Sequence, residues 1–188
     1  YSGSWIRAIP WFAVEVVGWA MFAKYHGDGK DKTSEFEKFA GPRRVGPAQE
    51  QLGYFNVNAY LMREYQIASS TQHNSAPYTG TLAEWSTMEW DERQDYFQEV
   101  EGYTHDVLSG DIQQYYEMIG KYINQFGYGW VDTYETDPFN PVVDVFNQDV
   151  GFIWGPSGDD PSTVNFDGTS TMFFKYRDMR GESNDLLA

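Results

Sequence analysis

The 188-residue chain contains no cysteine. That excludes disulfides, thiolate metal sites and cysteine nucleophiles together. Basic residues are scarce: 13 Lys and Arg stand against 28 Asp and Glu, for a net charge of −15. A field of that sign repels phosphate backbones, so nucleic acid is excluded as a partner. Cations, basic protein surfaces and neutral ligands such as sugars stay open. No uninterrupted apolar run reaches the length of about 20 residues that a membrane span requires. Catalytic signatures are missing as well. The three histidines (His26, His73 and His105) are far apart, and no HExxH, GxSxG or Walker-type sequence occurs. No enzyme and no cofactor are expected. The chain opens at Tyr1 without a methionine or a charged leader, which reads as a processed or trimmed product.

Aromatic residues are abundant. Seven Trp, fourteen Tyr and thirteen Phe make up 18% of the chain. Such side chains carry a large burial payload, so a folded core is expected despite the charge.

Residues 5–25, WIRAIPWFAVEVVGWAMFAKY, form the first organised segment. Pro10 suits a first helical turn. Residues 10–25 give about 24 Å of helix at 1.5 Å per residue, short of a bilayer core of about 30 Å. Glu15 stands in the middle of it. One reading makes this a buried core helix with Glu15 paired inside the domain. The other makes it half of a short membrane-embedded hairpin. Trp5, Trp11, Phe12, Trp19, Phe22 and Tyr25 are the expected membrane or partner contacts in that second reading.

A polar linker, HGDGKDKT, is expected next, followed by a helix opening at Ser34 with Glu37 at capping-box spacing. GPRRVGP should end that helix. Further helices are expected over about 49–68, 82–101 and 112–126, the last N-capped by Asp111 and stopped by FGYGW. Residues 132–168 read as a long irregular loop, and residues 171–187 as a final helix with Met172, Phe173, Tyr176, Met179 and Leu186 inward. The expected fold is thus mainly α: about six helices in one domain, divided into an apolar membrane-proximal helix (1–26) and an acidic helical domain (27–188).

Three candidate chemistries are weighed. Thr163-Val-Asn165-Phe-Asp167-Gly168 has calcium-loop spacing, yet Thr163 replaces the first Asp and Phe174 the bidentate Glu. An EF-hand is rejected; a looser calcium site on Asp159, Asp160, Asn165 and Asp167 remains an alternative. Acidic pairs such as Glu89 with Glu92 are neighbours on one helix, not groups facing each other across a cleft. Trp85, Trp90, Trp130 and Trp154 are candidate sugar-stacking platforms, although aromatics at helical spacing are more often core.

YSGSWIRA with the apolar run after it, DIQQYYEMIGKYINQFGYGW and FFKYRDMRGESNDLLA occur in that order. Together they resemble an uncharacterised family of bacterial envelope proteins with an N-terminal P-G-x-G-Q-x-Y-x-G hairpin, a mid-chain Y-Y-E-x-I-G-K-Y-type helix and a later Y-x-x-x-R-x-x-x-N helix. The resemblance covers about a third of the residues and leaves 132–168 outside the pattern. It implies a membrane-associated protein of the cell envelope, on the periplasmic side. Its role would be that of an accessory or structural subunit on a membrane or membrane protein complex, for example a bioenergetic or transport assembly. It implies no activity. Glu15, Glu117, Lys121, Tyr122, Arg177, Arg180 and Asn184 become the polar residues of interest. Of these, Glu15, Glu117, Lys121, Arg177 and Arg180 are expected to form structural ion pairs. Homo- and hetero-oligomers both stay open. The alternative function is a soluble calcium- or carbohydrate-binding module using the acidic loop.

Overall fold

A computed structural model describes residues 4–43, 53–108, 112–133, 163–166 and 168–188, with the backbone alone for residues 4–8. The chain is mainly helical. Seven α-helices are found among the described residues: α1 Ser4–Ala40, α2 Val57–Ala68, α3 Leu82–Thr87, α4 Trp90–Gln94, α5 Ile112–Ile119, α6 Ile123–Phe126 and α7 Thr171–Leu187. The backbone clusters into two compact units. One comprises Tyr1–Phe36 with Asp178–Ala188, the other Glu37–Arg177.

In the first unit, α1 continues where a polar linker was expected. HGDGKDKT is helical throughout, and the capping-box start at Ser34 does not exist. Two glycines and a run of charges argue for a break from sequence alone. Tertiary packing overrides that propensity at one crossing. Gly29 lies against α7 so closely that a Cβ there would fall 2.7 Å from Leu187 Cδ2. The Ser183 hydroxyl donates to the Gly29 carbonyl at 3.0 Å. Thr33 Oγ1 donates to the same carbonyl at 3.0 Å and lies 2.8 Å from Ser183 Oγ. Lys32 bridges Glu35 on its own helix and Glu182 on α7. Pro10 falls inside α1, not at its first turn, because the helix begins at Ser4.

In the second unit, α1 ends as GPRRVGP predicts. Gly41 takes a left-handed φ of 88°, which a side chain would disfavour, and Pro42 follows. The N–H groups of Tyr54 and Phe55 then satisfy the exposed carbonyls of Phe39 and Ala40. An isolated antiparallel bridge joins Phe55 to Trp130. Helix α2 starts at Val57, later than the residue-49 start expected, because Asn56 caps it: its side chain accepts from the N–H of Asn58 and Ala59. Residues 44–52 lie outside the described residues.

The expected helix over 82–101 is two short ones. Thr81 and Glu84 form a capping box on α3, and Met88 and Glu89 turn extended before α4. The expected helix over 112–126 is likewise broken. Tyr122 leaves helical geometry with φ −107° and ψ 73°, so α5 and α6 are separate. Its expected cap, Asp111, is outside the described residues. Helix α7 matches the expected bounds. Ser170 Oγ accepts from the N–H of Phe173, and Asp132 accepts from Ser170 and from the N–H of Met172.

The aromatic surplus is mostly core in this unit. Trp85, Trp130, Tyr60, Tyr103, Tyr115, Tyr128 and Tyr176 are all buried. Gly127 and Gly129 make room for this packing, since a Cβ at each would strike the rings of Phe166 and Phe55.

Candidate functional site

The N-terminal part of α1 presents its apolar side chains to solvent. Ile9, Trp11, Phe12, Val14, Val16, Val17, Trp19, Met21, Phe22 and Tyr25 are all exposed, Trp11 by 78% and Trp19 by 66%. At 100° per residue these positions point in every direction around the helix. An ordinary amphipathic helix leaves only its polar face in water, so an exposed apolar stretch of this size is a candidate interaction surface. The buried-core reading of this helix is therefore corrected: these side chains are exposed. No helix among the described residues is long and apolar enough to cross a membrane. Among the expected contact residues, Trp11, Phe12, Trp19, Phe22 and Tyr25 lie on this exposed stretch, and Trp5 belongs to the first turns of the same helix.

Glu15 is exposed in the middle of this surface. None of the described ion pairs includes it. Trp19 and Phe22 meet edge to face, and Phe22 stacks on His26. These contacts lie along the helix and leave the outer faces of the rings open.

Of the other expected ion-pair residues, Glu117, Lys121 and Arg177 are exposed. Glu117 and Lys121 pair with each other at 3.7 Å, one turn apart and half exposed; such a pair contributes little to stability. Arg177 lies over the Phe174 ring, 4.9 Å from its centre. Arg180 is half-buried on α7.

The buried ion cluster is built from other residues. Arg93, only 1% exposed, donates from Nη1 to Glu64 at 2.8 Å and from Nη2 to Asp106. Both carboxylates are buried. Burial pushes the Glu64 carboxyl up, with Arg93 opposing. Burial works against the charged Arg93 as well, but Glu64 and Asp106 hold its guanidinium above the ordinary value. Beside them, Gln125 Nε2 donates to Tyr60 Oη at 2.7 Å and to the His105 carbonyl at 2.6 Å. Arg63 packs on the Tyr128 ring, donates to its hydroxyl at 3.2 Å and donates to the Thr163 carbonyl. Tyr103 donates to the Val164 carbonyl at 2.7 Å. Arg63 and Tyr103 thereby hold residues 163 and 164 against α2 and the core. The cluster is enclosed, and Arg93 is shared between the two carboxylates, while Glu64 Oε1 and Arg93 Nε have no hydrogen-bond partner among the described residues.

A sequence signal for it exists in the phase of Arg93 with Trp85 and Phe97, eight and four residues away, and of Glu64 with Tyr60 and Ala68. Charged residues in step with buried neighbours at helical spacing are candidates for burial.

Trp85 and Trp130 are fully buried and cannot serve as sugar platforms; Trp90 is half-buried under Arg93. Trp154, Asp159, Asp160 and Asp167 lie outside the described residues, and Asn165 is half-buried beside Gly102. No group of three or more acidic or histidine side chains suited to a metal is present among the described residues. Comparison with known proteins finds no family model, curated protein or solved structure that matches the chain.

Proposed function

We propose that this chain is a non-enzymatic accessory or structural subunit of the bacterial cell envelope. It docks through the exposed apolar part of α1 on a membrane or a membrane protein complex. The observation that carries this reading is the exposure of Trp11, Phe12, Trp19 and Phe22 on one helix, while most other described aromatics are buried or half-buried. An apolar surface of that kind is costly in water and gains free energy when covered. The envelope location rests on the resemblance of YSGSWIRA, DIQQYYEMIGKYINQFGYGW and FFKYRDMRGESNDLLA to a bacterial envelope family. The interior supports the non-enzymatic part, because the buried charges of Arg93, Glu64 and Asp106 are spent on one another.

Fractionation of cells expressing the full chain tests this. The wild type is expected in the membrane fraction. A variant carrying Trp11→Ser, Trp19→Ser and Phe22→Ser should move to the soluble fraction with an unchanged circular dichroism spectrum. Recovery of the wild type as a soluble monomer without detergent contradicts the proposal.

A further inference from the structure

Trp11, Glu15, Gly18, Phe22 and Tyr25 recur at alternating steps of four and three residues, and therefore lie along one seam of α1. The next members of the same seam are Gly29, Lys32 and Phe36. That part is covered: Gly29 meets Leu187 of α7, Lys32 pairs with Glu182 of α7 at 3.3 Å, and Phe36 is buried. Residues 29 and 33 of α1 contact 187 and 183 of α7, so the two helices run antiparallel. The seam thus packs a helix along one stretch and continues, exposed, through the next.

The exposed stretch has the three features of the covered one. It carries a glycine without a close neighbour, Gly18, where a second backbone can approach. It carries large apolar side chains on either side of that glycine. It also carries a single charge, Glu15, one step before its glycine where Lys32 stands one step after Gly29, and none of the ion pairs among the described residues includes Glu15. Lipid alone fits this poorly. The apolar segment is short of a bilayer core, and a carboxylate held among acyl chains is penalised unless a partner neutralises it.

We infer that the exposed seam of α1 receives an apolar α-helix of a membrane-embedded protein partner, and that this helix carries a lysine or arginine facing Glu15. This rests on the docking function proposed above and names the chemistry of the partner. Apolar contacts with Trp11, Phe22 and Tyr25 supply the attraction. The ion pair at Glu15 selects the partner and fixes its register, because truncating either charge leaves the other buried and unpaired.

The test uses phosphatidylcholine vesicles containing a synthetic leucine-alanine transmembrane helix of about 20 residues with a central lysine. The same host with a central leucine is the control. Flotation of the full-length chain should show about tenfold tighter binding to the lysine host, the scale of one interhelical polar contact in a membrane. Glu15→Gln should reduce binding to the level of the leucine host, and Glu15→Lys should restore it on a host with a central glutamate. Glu15 is exposed, so these variants keep the fold, which circular dichroism verifies. Equal binding of the wild type to both hosts means lipid or unspecific apolar contact and overturns the inference while leaving the docking function intact. Binding to neither host overturns both.

Discussion

Arg93 on α4 reaches Glu64 on α2 across 2.8 Å in a site closed to water, with Asp106 on its other amino group. One cation thereby holds two carboxylates in the interior of the second unit. Removing it leaves both uncompensated. Arg93→Met should destabilise the fold by about 3–5 kcal/mol, read from chemical denaturation. Adding Glu64→Met and Asp106→Asn to Arg93→Met should recover part of that loss, since neither carboxylate is then left buried without its cation. A triple variant no more stable than the single one would show that the cluster contributes through its shape and not its charge.

Two titrations of opposite sign should be visible below neutral pH. His73 and His105 lie below the ordinary imidazole range, each chiefly through burial, with Arg63 adding to the effect on His73 and Lys121 to that on His105. The unfolded chain takes these protons first. The stability that the neutral imidazoles provide is intact above about pH 6.5 and is lost as the pH falls. Glu64 acts the other way. Its folded carboxyl lies above the ordinary 4.5, so its contribution is full below that pH and is lost as the pH rises through the folded value. Denaturation midpoints between pH 4 and 7 should therefore lose their acid-side decline in His73→Asn with His105→Asn. In Glu64→Gln, the decline should steepen.

Gly129 is a tight point of the core. A methyl group there would lie 2.4 Å from the Phe55 ring, which is itself held between Tyr115 and Trp130. The bridge between Phe55 and Trp130 leaves the backbone little room to yield. Gly129→Ala should cost about 1–3 kcal/mol in thermal or denaturant unfolding. Gly18→Ala, with no neighbouring atoms, should leave stability unchanged or raise it.

Ser183→Ala tests the crossing that carries α1 through its glycines. The hydroxyl is buried and serves both the Gly29 carbonyl and Thr33. About 1 kcal/mol should be lost. Faster amide exchange over residues 27–33, with that of residues 57–68 unchanged, would place the loss at the crossing.

The helical class was legible in the sequence, as were the end of α1 at Gly41-Pro42 and the whole of α7. Each is specified locally, by a left-handed glycine, a proline or a regular apolar spacing. What was not legible depends on neighbours distant in sequence. Residues 26–33 read as a linker because nothing local shows that Gly29 must be bare to admit Leu187. The breaks at Met88 and Tyr122 fall inside apolar patterns that would suit unbroken helices. The buried cluster escaped notice because Arg93 stands among exposed acids in WDERQDYF, where a charge usually marks a solvated face. The apolar character of the α1 stretch was legible in Trp11, Phe12, Trp19 and Phe22, whereas their exposure required the structure.

Amide hydrogen exchange over residues 9–25, with and without purified envelope membranes, tests the docking role of α1 most directly. We expect strong protection of these residues on adding membranes, with the amides of α2 unchanged. Exchange over residues 9–25 that is indifferent to membranes would contradict it.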